Sequence, residues 1–216
     1  MTMRRVRWLL WAAVAVAAVA TFAASRLGPT QRTEKGAFGK VPAFSLTDQQ
    51  GRTLTDRALR GTPWVANFIF TRCPSVCPLL TAKFKALQAK LGASEDVAFV
   101  SFSVDPEHDT PAVLAAYAEK FAADPARWHF LTGPMATIEQ TVVEGFKIHI
   151  GSPEPHKEDP SLVDIMHGEH FVLVDRDGII RGYYRAEPAE LEELADDLHK
   201  LASEGTATAR LSDGQR

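Results

Sequence analysis

The sequence predicts an α/β domain, a sheet with helices on its faces and a hairpin at one edge. Three observations lead there. Residues 64–70 and 97–104 are short apolar runs with the composition of buried strands, and amphipathic stretches follow them. Strand and helix alternate three times before the pattern changes to a hairpin and a last helix.

Taken in order, the domain starts near Val41 with a short strand over 44–46 and a turn over 48–52, where Gly51 supplies a positive φ. The run 64–70 is a strand that leads into a helix over 79–91, because Leu80, Phe84, Leu87 and Leu91 recur at helical spacing with lysines between them. Residues 97–104 form the next strand. Asp109, Thr110 and Pro111 then read as helix capping, a polar N-cap with proline at the first helical position, for a helix running to about Ala123. A third strand covers 128–131 and a helix 134–145. Prolines 153, 155 and 160 among charged residues make 146–166 an irregular insertion or hairpin. Strand character resumes over 171–174, Asp175–Gly178 is a turn, 179–184 is the partner strand, and 188–201 is an amphipathic helix. The polar tail, 204–216, reads as disordered.

Before the domain the chain has a different character. Arg4, Arg5 and Arg7 precede an apolar or small-residue run over 8–24, and the first acidic residue is Glu34. Seventeen residues of helix span about 26 Å against a hydrocarbon core of about 30 Å, so 1–24 is a transmembrane anchor or a signal segment. Positive residues stay in the cytoplasm, which places everything after Ser25 in the periplasm or another extracytoplasmic space. Residues 25–40 read as a linker and 41–203 as the domain. A net charge of −3 and a pI near 6.2 exclude the basic surface that nucleic acid requires. A monomer is the default.

The chain has only two cysteines, Cys73 and Cys77. In an oxidising compartment a pair is ordinarily a structural disulfide, but a bridge this short closes the least useful loop. The cysteines instead stand at a strand-to-helix junction, where ligands gather in open α/β sheets. On a helix such positions share a face with Cβ atoms about 5–6 Å apart, whereas a disulfide wants about 3.8 Å. That spacing suits a metal. Helix N-terminal amides and Arg72 favour thiolate over thiol. Two thiolates are too few for a closed zinc site, and a soft thiolate pair with one imidazole suits copper. Of the seven histidines, His129, His149, His156 and His199 read as ordinary surface or satisfied residues. His167 and His170 lie just before a strand, three apart and so on opposite faces if extended. Only one is expected to reach the cysteines, and the spacing leaves both open.

Three separated motifs carry a resemblance. They are Thr71-Arg72-Cys73-Pro74-Ser75-Val76-Cys77-Pro78, then Phe102-Ser103-Val104-Asp105-Pro106-Glu107-His108-Asp109-Thr110-Pro111, then Val163-Asp164-Ile165-Met166-His167 ahead of Leu173-Val174-Asp175-Arg176-Asp177-Gly178. Together they resemble the Sco/SenC family of copper-delivery proteins over residues 41–203. The resemblance implies a thioredoxin-like fold with an inserted hairpin and a copper ion held by Cys73, Cys77 and a distal histidine. That histidine is His167, eleven residues before Gly178, and His170 becomes a neighbour or a surface residue. It also implies a role in maturing the binuclear copper site of cytochrome c oxidase, with a copper donor protein and a copper-accepting oxidase subunit as partners. The expected activity is metal transfer rather than turnover. The alternative is a thiol–disulfide oxidoreductase in which Cys73 and Cys77 are a redox-active pair reducing the acceptor's cysteines. A peroxidase and a purely structural disulfide are weaker readings of the same residues.

Overall fold

A computed structural model describes residues 37–74, 76–92, 96–148 and 170–213, with the backbone alone for 205–213. They belong to the unit Gly36–Arg216. The expected anchor over 1–24, most of the linker, most of the insertion over 146–166, and His149, His156, Met166 and His167 lie outside the described residues. Among the described residues no helix is long and apolar enough to cross a membrane.

Among the described residues seven strands form one sheet. They are β1 (Ser45–Asp48), β2 (Thr53–Thr55), β3 (Trp64–Ile69), β4 (Ala98–Ser103), β5 (Trp128–Thr132), β6 (His170–Val174) and β7 (Ile180–Arg185). The order across the sheet is β2-β1-β5-β4-β3-β6-β7. β3, β4 and β5 are parallel, while β6 and β7 form an antiparallel hairpin at one edge and β1 and β2 another at the opposite edge. The second hairpin, absent from the sequence reading, turns through Gly51 at φ +77 with the Asp48 carboxylate accepting from the Gln50 and Arg52 amides.

Helices α1 (Val76–Leu91), α2 (Pro111–Lys120) and α4 (Pro188–Asp213) pack on one face of the sheet. Phe84 of α1 sits at the centre of that core, its ring 5.1 Å from Phe99, 5.2 Å from Trp128 and 4.9 Å from Phe171. The other face is covered by α3 (Met135–Glu139), which widens into a π-helical turn over Gln140–Gly145, and by the N-terminal segment through Val41 and Phe44. The mixed α/β sheet flanked by helices is therefore as expected. Two boundaries differ. α1 starts three residues before the expected position because Pro78 falls in the first turn, where a missing N–H removes no helical hydrogen bond. α4 runs on to Asp213, into the tail that its polar composition assigns to disorder.

Candidate metal centre

Strand β3 is buried along its whole length, so its exit places the following residues at a fixed point on the sheet edge. Residues 70–74 make an irregular turn there, with the Cys73 amide donating to the Phe70 carbonyl at 3.2 Å. α1 begins at Val76, so Cys73 precedes the helix and Cys77 is its second residue. The structure brings the two together: the Cys77 amide donates to the Cys73 sulfur at 3.4 Å. One of the amides that a helix start leaves without an intrahelical partner is thus turned on a thiol. No disulfide joins the two, and Cys73 is half-buried while Cys77 is buried.

Cys77 is rooted in α1. Its carbonyl accepts from the Thr81 hydroxyl at 2.8 Å, Thr81 also meets the Tyr117 hydroxyl at 2.9 Å, and Leu80 and Phe84 on the same helix are buried in the core. Burial pushes the Cys77 thiol up to about 12, against a backbone hydrogen bond from Phe70 that favours the thiolate, and the nearby Cys73 and Asp109 add to the rise. For Cys77 this runs against the expectation that the helix start favours thiolate. Removal from water outweighs the helix start at this residue. Arg72 is otherwise engaged: its guanidinium donates to Asp105 Oδ2 at 3.0 and 2.8 Å.

The loop over 105–109 closes on the thiol turn at two levels. On the outside, Asp105 holds Arg72 and, through Oδ1, the His108 Nδ1 at 2.9 Å. What burial Asp105 has works against ionisation, but the hydrogen bonds from His108 and Arg72 hold its carboxyl below its usual range. On the inside, Asp109 is wholly buried and accepts from the Thr71 amide, the Thr71 hydroxyl and the Ser103 hydroxyl. Sequence reasoning took Asp109 for part of a helix cap. The cap is Thr110, whose hydroxyl accepts from Val113, with Pro111 beginning α2. Nothing in the local run Asp105-Pro106-Glu107-His108-Asp109-Thr110-Pro111 separates this buried acid from a helix cap.

The histidines divide as follows. His129 lies in β5, where burial lowers its pKa, and His199 lies on α4. His170 opens β6. Because β6 is antiparallel to β3, with Ala66 opposite Val172 and Trp64 opposite Val174, its start lies at the same end of the sheet as the exit of β3 toward Cys73. Alternation along β6 sends Phe171 and Leu173 to the face of α1, and Val172 and Val174 to the other face. His170 belongs with the second pair, away from the helix that carries Cys77. Among the described residues no three histidine, cysteine, aspartate or glutamate side chains group as a metal cluster. The described part of the centre is thus a thiol pair and its supports.

A family model described as SCO1/SenC matches residues 32–203. A SCO1 protein homolog of Bacillus subtilis (strain 168) is 34% identical over 167 residues, which cover 76% of this chain and 83% of that protein. BsSco, described with a disulfide switch and as a member of the Sco family of cytochrome c oxidase assembly proteins, is 32% identical. Its structure aligns with a TM-score of 0.65 over 76% of this chain and 94% of its own. ScoI of Bradyrhizobium japonicum, solved with copper bound, is 30% identical and aligns with a TM-score of 0.62 over 76% of this chain and 99% of its own.

Proposed function

The chain belongs to the SCO1/SenC family, and from that premise we propose that it binds copper through Cys73, Cys77 and His167 and passes it to the binuclear copper site of a cytochrome c oxidase. The observation that carries this reading is the meeting of two thiols at the sheet end where β6 also begins. His167 precedes His170 by three residues, a separation of at most about 11 Å by chain length. Alternation turns His170 to the face away from α1, and the family resemblance points to His167 as the third ligand.

The donor set fits the cargo. Two sulfur ligands and one imidazole select a soft or intermediate cation, and three protein ligands leave the site open for transfer. Cys77 holds its proton in the metal-free state, so binding releases it, and copper affinity rises with pH through the neutral range. Such a coupling lets an acceptor take the metal as Cys77 recovers a proton. Reading 1–24 as an anchor or signal segment keeps this exchange on the extracytoplasmic side.

The test is titration of the reduced full-length protein with Cu(II) while recording thiolate-to-copper charge-transfer absorption. A band that appears in the wild type and is lost or displaced in His167→Ala is expected. No band, or one that His167→Ala leaves unchanged, refutes the ligand set.

A second reading, reduction of the acceptor's cysteines, gains support from the nearness of the two sulfur-bearing residues and from the switch described for BsSco. In that chemistry Cys73 is the attacking thiol, because it is more exposed and Cys77 has a high pKa. Disulfide reduction by the copper-chelated protein, at a rate unchanged in His167→Ala, favours this reading over copper delivery.

A further inference from the structure

Residues 70–74 belong to no strand or helix, yet one arm of the thiol pair stands on them. Besides the bond from Cys73 to Phe70 and the contacts of Phe70 and Cys73 with Cys77, side-chain ties fasten this turn to the 103–109 segment. The inner tie is Asp109. Its Oδ1 accepts from the Thr71 hydroxyl at 2.5 Å and the Thr71 amide at 3.3 Å, and its Oδ2 accepts from the same amide at 3.1 Å and the Ser103 hydroxyl at 2.6 Å. The carboxylate is fully buried, so its charge is sustained by these donors rather than by water.

Asp109 is itself rigidly held. Its amide donates to the Asp105 carbonyl at 2.9 Å, and the next residue caps α2. Ser103 ends β4 directly opposite Ile69 of β3. A strand and a helix therefore present one carboxylate to Thr71, two residues before Cys73. Cys77 needs no such device, because α1 carries it into the core.

We propose that Asp109 is a positioning residue for the thiol pair, fixing the Cys73 sulfur relative to Cys77 through Thr71. It acts at second hand, since its bonds reach Thr71 and Ser103 and not the sulfurs. The copper consequence rests on the reading given under Proposed function, whereas the geometric consequence for the two thiols does not.

The experiment compares full-length wild type, Asp109→Ala, Asp109→Asn and Thr71→Val by two readouts. One is copper affinity with the charge-transfer spectrum. The other is the dithiol–disulfide midpoint with copper chelated. Asp109→Ala is expected to weaken copper binding by about tenfold or more, in the range seen when supports of metal ligands are removed, and to shift the band. With the Cys73 arm loosened, the thiols meet less often and the disulfide is disfavoured. A tenfold change in that equilibrium appears as a midpoint about 30 mV higher. Thr71→Val moves both readouts in the same direction by less, because the Thr71 amide still has its acceptor. Asp109→Asn keeps an acceptor for the Thr71 hydroxyl but puts an N–H at the Oδ2 position, which faces the Thr71 amide, so its shift is in the same direction and smaller than that of Asp109→Ala.

Variants that lose only thermal stability, with midpoint and spectrum unchanged, overturn the proposal. So does Asp109→Asn behaving like Asp109→Ala, which assigns the effect to charge rather than position. If Asp109→Ala does not fold, Thr71→Val decides. If wild type gives no copper band, the copper reading fails and the midpoints alone judge Asp109.

Discussion

The two cysteines are four residues apart and are held by different physics. Cys77 rides on a helix whose buried residues Leu80, Phe84, Leu87 and Leu91 lie in the main core. Cys73 stands on a turn secured by hydrogen bonds from Thr71 and Arg72 to two aspartates more than thirty residues away. One arm is fixed by removal of apolar surface from water, which is non-directional and shared with the whole fold. The other is fixed by a few directional bonds that can be lost without unfolding the domain. The asymmetry makes the two arms separately testable, since the position of one sulfur depends on the core and that of the other on a few named bonds.

The largest expected effect comes from breaking the apolar arm. Phe84 is fully buried and touches the rings of Phe99, Trp128 and Phe171. Phe84→Ala is expected to destabilise the domain by about 3–5 kcal/mol, read by denaturant unfolding, with copper binding lost only as the whole fold is lost. A folded Phe84→Ala protein of normal stability but defective in copper binding would remove the distinction between the arms.

An intermediate effect is expected from pH. Cys77 is raised from 9.0 to about 12 by burial in the folded state, so folding favours its protonated form. Its contribution to stability is complete below the unfolded value near 9.0 and is lost as pH climbs toward about 12. Tyr117, raised from 10.0 to about 12, chiefly by burial, acts in the same direction. Metal-free wild type should therefore lose stability steeply above pH 9, and Cys77→Ala should lose it less steeply over the same interval. Parallel pH profiles for the two proteins would show that the buried thiol is not the group responsible.

What was legible in the sequence follows the same division. Apolar periodicity announced β3, β4, β5, the β6–β7 hairpin and the helices, because burying an apolar face leaves a local pattern. The position of the cysteines at a strand-to-helix junction was legible for the same reason. The supports of Cys73 were not. Arg72 looked like a cation beside a thiol until Asp105, 33 residues on, took its guanidinium. Asp109 looked like a cap until its burial against Thr71 and Ser103 appeared. The direction of the Cys77 shift also depended on packing, since a helix start is visible in sequence and the surrounding desolvation is not. The β1–β2 hairpin escaped because three-residue β2 is too short to show alternation.

The smallest effect is expected at the outer tie. Arg72 and Asp105 meet at 2.8 Å, but the Arg72 side chain is 59% exposed. Exposed pairs of this kind contribute about 0.2–1 kcal/mol and weaken with salt. Asp105 also keeps His108 as a partner when Arg72 is removed. Arg72→Ala should therefore leave unfolding stability nearly unchanged and alter the dithiol–disulfide midpoint less than Thr71→Val does. Raising the salt concentration should erase what difference there is between wild type and Arg72→Ala, while leaving the Asp109 variants distinct, because the buried carboxylate is shielded from mobile ions. An Arg72→Ala protein as disturbed as Asp109→Ala would mean that the turn is held from outside. The Cys73 arm would then have to be described as a surface loop steered by charge, rather than one anchored beneath by a buried acid.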